Sequence, residues 1–260
     1  MTRPLPRFAG KVALITGGGG GLGRAISGAL AAEGCDIALL DTNPASVESA
    51  AEEARSSGVR ALGLVVDVRE RVGVAAAVKA ASEALGGVDI LIAAAGGSLG
   101  TPRDIADISE EDLDLVIDVN IKGTFNVAAS VLPSMKARGG GAIVTFSSIG
   151  GRSTSPVTGV PYAAAKAGIL GLTRRLAREV GADNIRVNAV APGLFLTGRL
   201  QGMFEAMSEH DREEVLDGIP LGRLPDIREC VDPVLFLASD ESSYITGAVL
   251  DVNGGRFMAG

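Results

Sequence analysis

Residues Val12 to Gly23 read Val-Ala-Leu-Ile-Thr-Gly-Gly-Gly-Gly-Gly-Leu-Gly, an apolar run and a chain of glycines that lead into a stretch with helical spacing at Leu22, Ile26 and Leu30. A short uninterrupted apolar run reads as a strand buried on both faces, as in a parallel sheet, and the spacing that follows reads as a helix laid against it. Between them, glycine lets the backbone turn tightly and come close to a ligand, while the unpaired N–H groups at the helix start attract an anion. A lone glycine run is equally compatible with a flexible turn. Its place inside the first β-α unit points to a dinucleotide pyrophosphate, with Gly17, Gly21, Leu22 and Gly23 against it.

The same alternation continues along the chain. Apolar runs recur at Ile37 to Leu40, Leu62 to Val66, Ile90 to Ala94, Ile143 to Phe146, Val187 to Ala191 and Ala248 to Leu250. Between them lie helical spacings such as Val74, Val78 and Leu85, or Ile169, Leu172 and Leu176. Right-handed β-α-β crossovers of this length predict an α/β fold, a doubly wound parallel sheet of about seven strands with helices on both faces and its ligand outside the carboxyl ends of the strands. Neither a linker nor a longer repeat interrupts the pattern, so residues 1–260 read as a single domain.

Composition narrows the function. The 24 Lys and Arg against 31 Asp and Glu give a net charge of −7 over 260 residues, 47% of them hydrophobic. Low-hydrophobicity disorder is excluded, and with no basic cluster nucleic acid is not an expected partner. No charge-free stretch exceeds 13 residues, and Met1 to Lys11 lacks the apolar core of a signal peptide, so a cytoplasmic protein without membrane contact is expected. Cys35 and Cys230 have no zinc or disulfide spacing, and the only histidine, His210, lies in a polar run and reads as an exposed structural residue. No metal site is expected.

Chemistry is therefore sought at the strand ends. Asp41 closes the second strand twenty residues after Gly21, where a carboxylate accepts hydrogen bonds from an adenosine ribose and repels a 2′-phosphate. With no Lys or Arg in the glycine loop or directly after Asp41, NAD is favoured over NADP; Asp41-Thr42-Asn43-Pro44 is also good helix-cap chemistry. Asp67, followed by Val68, ends the third strand, placed to meet the adenine amino group or to cap a helix that begins near Glu70. Ser147-Ser148 ends a later strand, and the helix after it opens with Tyr162-Ala-Ala-Ala-Lys166. Residues four apart share a helix face, and an ammonium beside a phenol favours the phenolate, which suits acid–base chemistry on an alcohol.

With these motifs in place the chain resembles the short-chain dehydrogenase/reductase family, its single-domain members of about this size, from Lys11 to Gly255. The resemblance also rests on Asn120 in Val119-Asn-Ile-Lys-Gly123, on Pro192-Gly193 followed by Thr197, and on Tyr244-Ile-Thr-Gly247 with Val252-Asn-Gly-Gly255. It implies that Tyr162 is the acid–base and that Lys166 lowers its pKa and bonds the nicotinamide ribose. It further implies that Ser148 orients the reacting oxygen, and that Asn120 holds a water linking Lys166 to solvent. Pro192, Gly193 and Thr197 would meet the nicotinamide amide, and Gly96 would pass close to the adenosine ribose. Asn120 also reads as a polar residue bracing a kinked helix, and Ser148 as a turn serine.

Two departures from the family pattern stand out. Ala93-Ala94-Ala95-Gly96 replaces the usual Asn-Asn-Ala-Gly, so bracing of the central strands is expected from elsewhere, and Ser148 precedes Tyr162 by fourteen residues rather than thirteen. The segment around 194–218, with Leu194, Phe195, Leu196, Leu200, Met203, Phe204 and Met207, reads as a substrate lid or as an ordinary packed helix. Arg152 and Arg199 flank the expected pocket, either as solvated surface arginines or as a hold on an anionic substrate group. A small face on the helix from Tyr162 to Val180 (Ala164, Ala167, Gly171) and a long apolar helix from Leu113 through Ala137 predict a homo-oligomer, most simply a tetramer. The reading is an NAD-dependent oxidoreductase moving a hydride between nicotinamide and a small-molecule secondary alcohol or the matching ketone. Its alternatives are an NADPH-linked 3-oxoacyl-type ketoreductase and a non-catalytic NAD-binding protein.

Overall fold

Each apolar run forms a parallel strand: β1 Val12–Thr16, β2 Asp36–Asp41, β3 Ala61–Val65, β4 Ile90–Ala93, β5 Gly141–Phe146, β6 Ile185–Pro192 and β7 Val249–Val252. The computed structural model describes residues 6–154, 157–205 and 207–259. Strand ends fall within two residues of the sequence reading. The sheet order is β3-β2-β1-β4-β5-β6-β7, so the winding direction reverses between β1 and β4 and a crevice opens at their carboxyl ends.

Alternate side chains of the strands enter two separate cores. Ala13, Ile15, Ile37, Leu39, Ile92 and Val144 pack with Ile26 and Leu30 of α1 (Gly21–Ala32), Val47 of α2 (Pro44–Ser56) and Val231 and Leu235 of α9 (Arg228–Ala238). Leu14, Leu40, Leu91, Ile143 and Val187 pack on the opposite face. There they meet Val74 and Val78 of α3 (Arg71–Leu85), Val131 and Met135 of α5 (Gly123–Ala137) and Ala177 and Val180 of α6 (Val160–Val180). Both cysteines are buried in the first core, and burial pushes the Cys230 thiol up to about 12.

Two helices differ from expectation. The long helix begins at Glu110 rather than Leu113, where Ser109 and Asp112 form a capping box, and it is not regular throughout. It runs as α4 (Glu110–Ile117), a π-helical turn over Asp118–Lys122, and then α5. By length and composition alone Glu110–Ala137 is long and apolar enough to cross a membrane, and 44% of its most apolar window is buried inside the fold. The other difference is α6, which starts at Val160, two residues before Tyr162, with Pro161 in the first turn where its missing N–H costs nothing.

The amino-terminal edge of the sheet carries a polar clasp beside a cavity of about 250 Å³. Asp89 accepts from the Val12 N–H at 2.8 Å and is held by Arg138 Nε and Nη2 at 2.6 and 2.9 Å. The carboxyl edge is left for ligand.

Candidate active site

A cavity of about 820 Å³ runs along that carboxyl edge from Asp41 to Tyr162. Gly17, Gly21, Leu22, Gly23, Gly96, Ser148, Lys166, Pro192, Gly193 and Thr197 line it, so most of the residues singled out in the sequence meet here.

The glycine loop shows why this sequence is needed. Gly17 and Gly21 have φ of +65° and +53°, and a Cβ on Gly23 would lie 2.2 Å from the Gly17 carbonyl oxygen. A Cβ on Gly20 would meet nothing within 4 Å and one on Gly21 only Thr197, so the start of α1 is open on the cavity side. An open helix N-terminus without acidic residues in its first turn fits a pyrophosphate, and the site suits a dinucleotide.

Asp41 is tied into this loop. Its Oδ2 accepts from the Gly19 N–H at 3.0 Å and its Oδ1 from Asn43 N–H at 3.1 Å. The cap of α2 is made instead by Asn43, which accepts from Ser46 N–H at 3.0 Å, with Pro44 behind it. Asp67 and Val68 line an adjoining cavity of about 370 Å³ that shares Gly17, Asp41 and Gly96 with the larger one. The alternative of Asp67 as a helix cap is overturned, because the N-cap position of α3 is Glu70 and no side chain bonds there. Asp67 is clasped by Arg69 at 2.7 Å, and this hydrogen-bonded guanidinium holds its carboxyl below the usual carboxylate range.

At the other end, β5 and α6 are bolted together around Lys166. Its ammonium donates to the Phe146 carbonyl at 2.8 Å, while Ser147 Oγ donates to the Lys166 carbonyl at 2.8 Å. Lys166 is wholly buried, and loss of hydration pulls its pKa down to about 8. The ammonium sits 5.7 Å from the centre of the Tyr162 ring. Ser148 Oγ accepts from the Gly150 N–H at 3.1 Å, which leaves its own proton to be donated.

Asn120 lies in the π-helical turn, buried behind the cavity. Its Nδ2 donates to the Gly97 and Val116 carbonyls at 2.9 and 2.8 Å, and its Oδ1 accepts from Gly97 N–H at 3.1 Å. The bracing lost with Ala93-Ala94 is supplied here and by Thr16 Oγ1, which accepts from Ala95 N–H at 3.0 Å. Gly96, at φ +148°, has no room for a side chain: a Cβ would lie 2.4 Å from Asn120 Oδ1 and 3.3 Å from Lys166 Nζ.

The reading of Arg152 as a solvated arginine or an anion hold is corrected. Its Nε lies 2.8 Å from Asp251 Oδ1, its guanidinium is over the Phe257 ring at 5.0 Å, and its side chain is only 17% exposed. The segment after Gly193 folds as α7 (Gly198–Glu205) and α8 (Glu209–Asp217), with Phe195 and Val215 buried and Phe204 and Met207 half-buried. The side chains of Arg199, Leu200, Met203 and His210 lie outside the described residues. Ser98, Thr158 and Phe195 also line the main cavity; the first two carried no sequence signal, standing in irregular loops without a motif. Among the described residues, no group of three or more His, Cys, Asp or Glu is gathered as metal ligands.

Comparison with known proteins places this geometry. A family profile described as enoyl-(acyl carrier protein) reductase matches residues 18–256. An uncharacterized short-chain type dehydrogenase/reductase of Sinorhizobium fredii is 40% identical over 253 residues, covering 96% of this chain and 98% of the relative. The 3-oxoacyl-[acyl-carrier-protein] reductase of Thermotoga maritima is 40% identical over 251 residues, again covering 96% and 98%. Among solved structures, an NAD⁺-bound xylitol dehydrogenase aligns with a TM-score of 0.89 at 33% identity, over 96% of this chain and all of that one.

The buried ammonium makes stability depend on pH. Below pH 8 both folded and unfolded chains hold the Lys166 proton, and the cost of burying the charge is complete. Between about 8 and the ordinary lysine value of 10.5 the folded chain gives up the proton first, so stability rises with pH. Urea unfolding midpoints should therefore rise across this window more steeply for the wild type than for Lys166→Met; parallel curves would show that Lys166 is not buried as a charge.

Proposed function

The chain belongs to the short-chain dehydrogenase/reductase family, and we propose that it is an NAD-dependent oxidoreductase moving a hydride between nicotinamide and a secondary alcohol or the matching ketone. As a member of this family it acts on CH–OH groups; the cofactor and the class of alcohol are the proposal. The observation that carries it is the convergence of Ser148, Tyr162 and Lys166 in one cavity that continues to Asp41.

When bound, the nicotinamide accepts or supplies the hydride. The chain's own residues manage the proton. In oxidation the Tyr162 phenolate takes the hydroxyl proton of the alcohol, and in reduction the phenol returns it to the carbonyl oxygen. The Lys166 ammonium, held in a dry site by the Phe146 carbonyl, favours the phenolate electrostatically. Ser148, whose oxygen is already fixed by Gly150, donates its proton to the reacting oxygen as negative charge develops there. Asn120 Oδ1 and Lys166 Nζ both lie against the place a Gly96 Cβ would take, the closeness on which a water relay from Lys166 past Asn120 is proposed.

NAD is favoured over NADP because Asp41 closes the adenosine end with a carboxylate. The nearest cation in the adjoining cavity, Arg69, is already neutralised by Asp67. The identity to the Thermotoga 3-oxoacyl reductase supports a second reading, an NADPH-linked ketoreductase, which Asp41 opposes. A homotetramer is supported by Ala164, Ala167 and Gly171, exposed along one face of α6, and by half-exposed Phe125 on α5.

Tyr162→Phe should leave NAD affinity within a few-fold and lower turnover by about 10²–10⁴, the usual worth of positioned acid–base catalysis. The readout is reduced-nicotinamide absorbance with a panel of polyols, cyclic alcohols and hydroxy acids, and near-normal turnover would remove Tyr162 from this role. Asp41→Ala should weaken NAD about ten- to a hundred-fold, since charge-assisted hydrogen bonds are worth about 1.5–3 kcal/mol, and should narrow the preference over NADP. Equal use of both cofactors by the unmutated chain would end the argument from Asp41. Light scattering at micromolar concentration should give the mass of four chains, and a monomer would refute the assembly.

A further inference from the structure

Ser148 is followed at once by a tight turn, Ile149–Gly151, in which Gly151 N–H bonds to Ser148 O and Ser153 N–H to Ile149 O. One side of this turn is seated on α6, where a Cβ on Gly151 would lie 2.5 Å from the Lys166 carbonyl carbon. Its other side is held by the next side chain. Arg152 leaves the turn and lies in a clamp between the Phe257 ring, at 5.0 Å, and the Asp251 carboxylate of β7, an ion pair with Nε 2.8 Å from Oδ1 that is not aligned as a hydrogen bond. Both charged side chains are at most one-fifth exposed, so the pair is largely shielded from water.

The other half of the clamp is built by the segment after β7. Asn253 folds that segment back: its Oδ1 accepts from Gly255 N–H at 3.0 Å, and its Nδ2 donates to the Phe257 carbonyl at 3.1 Å. Gly254 and Gly255, at φ +66° and +87°, allow the reversal that lays Phe257 over Arg152. The same few residues touch two further pieces of the cavity wall. Gly193 N–H donates to the Val252 carbonyl at 2.8 Å, and a Cβ on Gly193 would press on Asn253 at 3.1 Å. Leu221 N–H donates to the Gly254 carbonyl at 3.2 Å, tying in the chain that follows α8.

We propose that Arg152 is a positioning residue for Ser148, and that the Asp251–Phe257 segment is the common anchor setting the serine turn and the Pro192-Gly193 loop relative to each other across the cavity. The inference rests on the reading of Ser148 as the group that donates to the reacting oxygen. No other described residue ties the side of the turn away from α6 to the sheet by a charged contact. A hydrogen bond to a reacting atom is sensitive to displacements of about 1 Å, and losses near 10² in rate follow from misplacements of that size. Arg152 acts on turnover through the position of Ser148, while the glycine loop and Asp41 lie at the far end of the cavity, outside its reach.

The test uses Arg152→Ala, Arg152→Lys and Phe257→Ala in the full chain, with Ser148→Ala as reference. Amide hydrogen exchange should accelerate in peptides covering 147–154 in Arg152→Ala, and less in Arg152→Lys, which keeps the ion pair but not the planar stacking. Peptides covering β1 and the start of α1 should be unchanged. With the best alcohol of the panel, kcat should fall about ten- to a hundred-fold in Arg152→Ala, with the NAD dissociation constant within about three-fold of wild type and with partial recovery in Arg152→Lys. Phe257→Ala, a milder change, should show the same pattern at smaller amplitude and guards against a failure of Arg152→Ala to fold. Unchanged exchange in the serine turn would overturn the proposal, as would accelerated exchange with unchanged kcat. If Ser148→Ala turns over normally, the reading of Ser148 fails, and exchange alone then decides whether the clamp holds the turn.

Discussion

A sheet buried on both faces admits a polar side chain within a strand only where its hydrogen bonds are met inside the fold, as for Asn188 in β6, bonded to Ile245 and Ala248. Here Val12 to Thr16 are all buried, alternate residues of the strands belong to two different cores, and the helices above and below are packed directly on them. Groups that must stay open to a ligand are therefore confined to an edge. The amino edge carries the Asp89–Arg138 clasp beside a cavity of about 250 Å³, and the carboxyl edge, opened by the reversal of strand order between β1 and β4, carries the larger one. The location of the site follows from burial before any catalytic residue is considered.

At that edge the polar groups are held by backbone more than by one another. Lys166 is anchored to the Phe146 carbonyl, Asn120 to both groups of Gly97, and Asp41 to the Gly19 amide. A carbonyl at a strand end does not change rotamer, so such bonds fix side chains to the sheet itself and lower the reorganisation needed when charge develops. The same arrangement explains why glycine is required at Gly96. The backbone there is squeezed between Asn120 and Lys166, and any Cβ would separate them.

Much of this was legible in the sequence, because parallel strands write themselves as short apolar runs and their ends are marked by Gly, Asp and Ser. All seven strands, the glycine turn, Asp41 and the Tyr162–Lys166 pair could be placed from local pattern alone. What escaped depended on partners distant in the chain or on helix geometry. Arg152 looked like a free cation because Asp251 and Phe257 lie about a hundred residues further on. Asp67 could be read as an adenine contact or a cap because its engagement by Arg69 depends on side-chain conformation. An irregular helix braced by Asn120 was legible, but not its π form, since hydrophobic periodicity cannot distinguish one extra residue in a turn from a small change of face.

That turn has an evolutionary reading. A π-helical turn is what remains when a helix accepts one inserted residue without breaking, and the residues after it are rotated by about 100° relative to those before. Upstream of Asp118 the helix lines the adjoining cavity through Leu115; downstream it shares a core with α3 through Val131 and Met135 while Phe125 stays half outside. One added residue thus lets a single helix serve two faces, and a lineage that lost it would bring α5 round by more than a quarter turn. The reading frame of this helix, more than the identity of any one residue in it, is what insertion and deletion cannot touch without moving Asn120 and the outward face of α5 together.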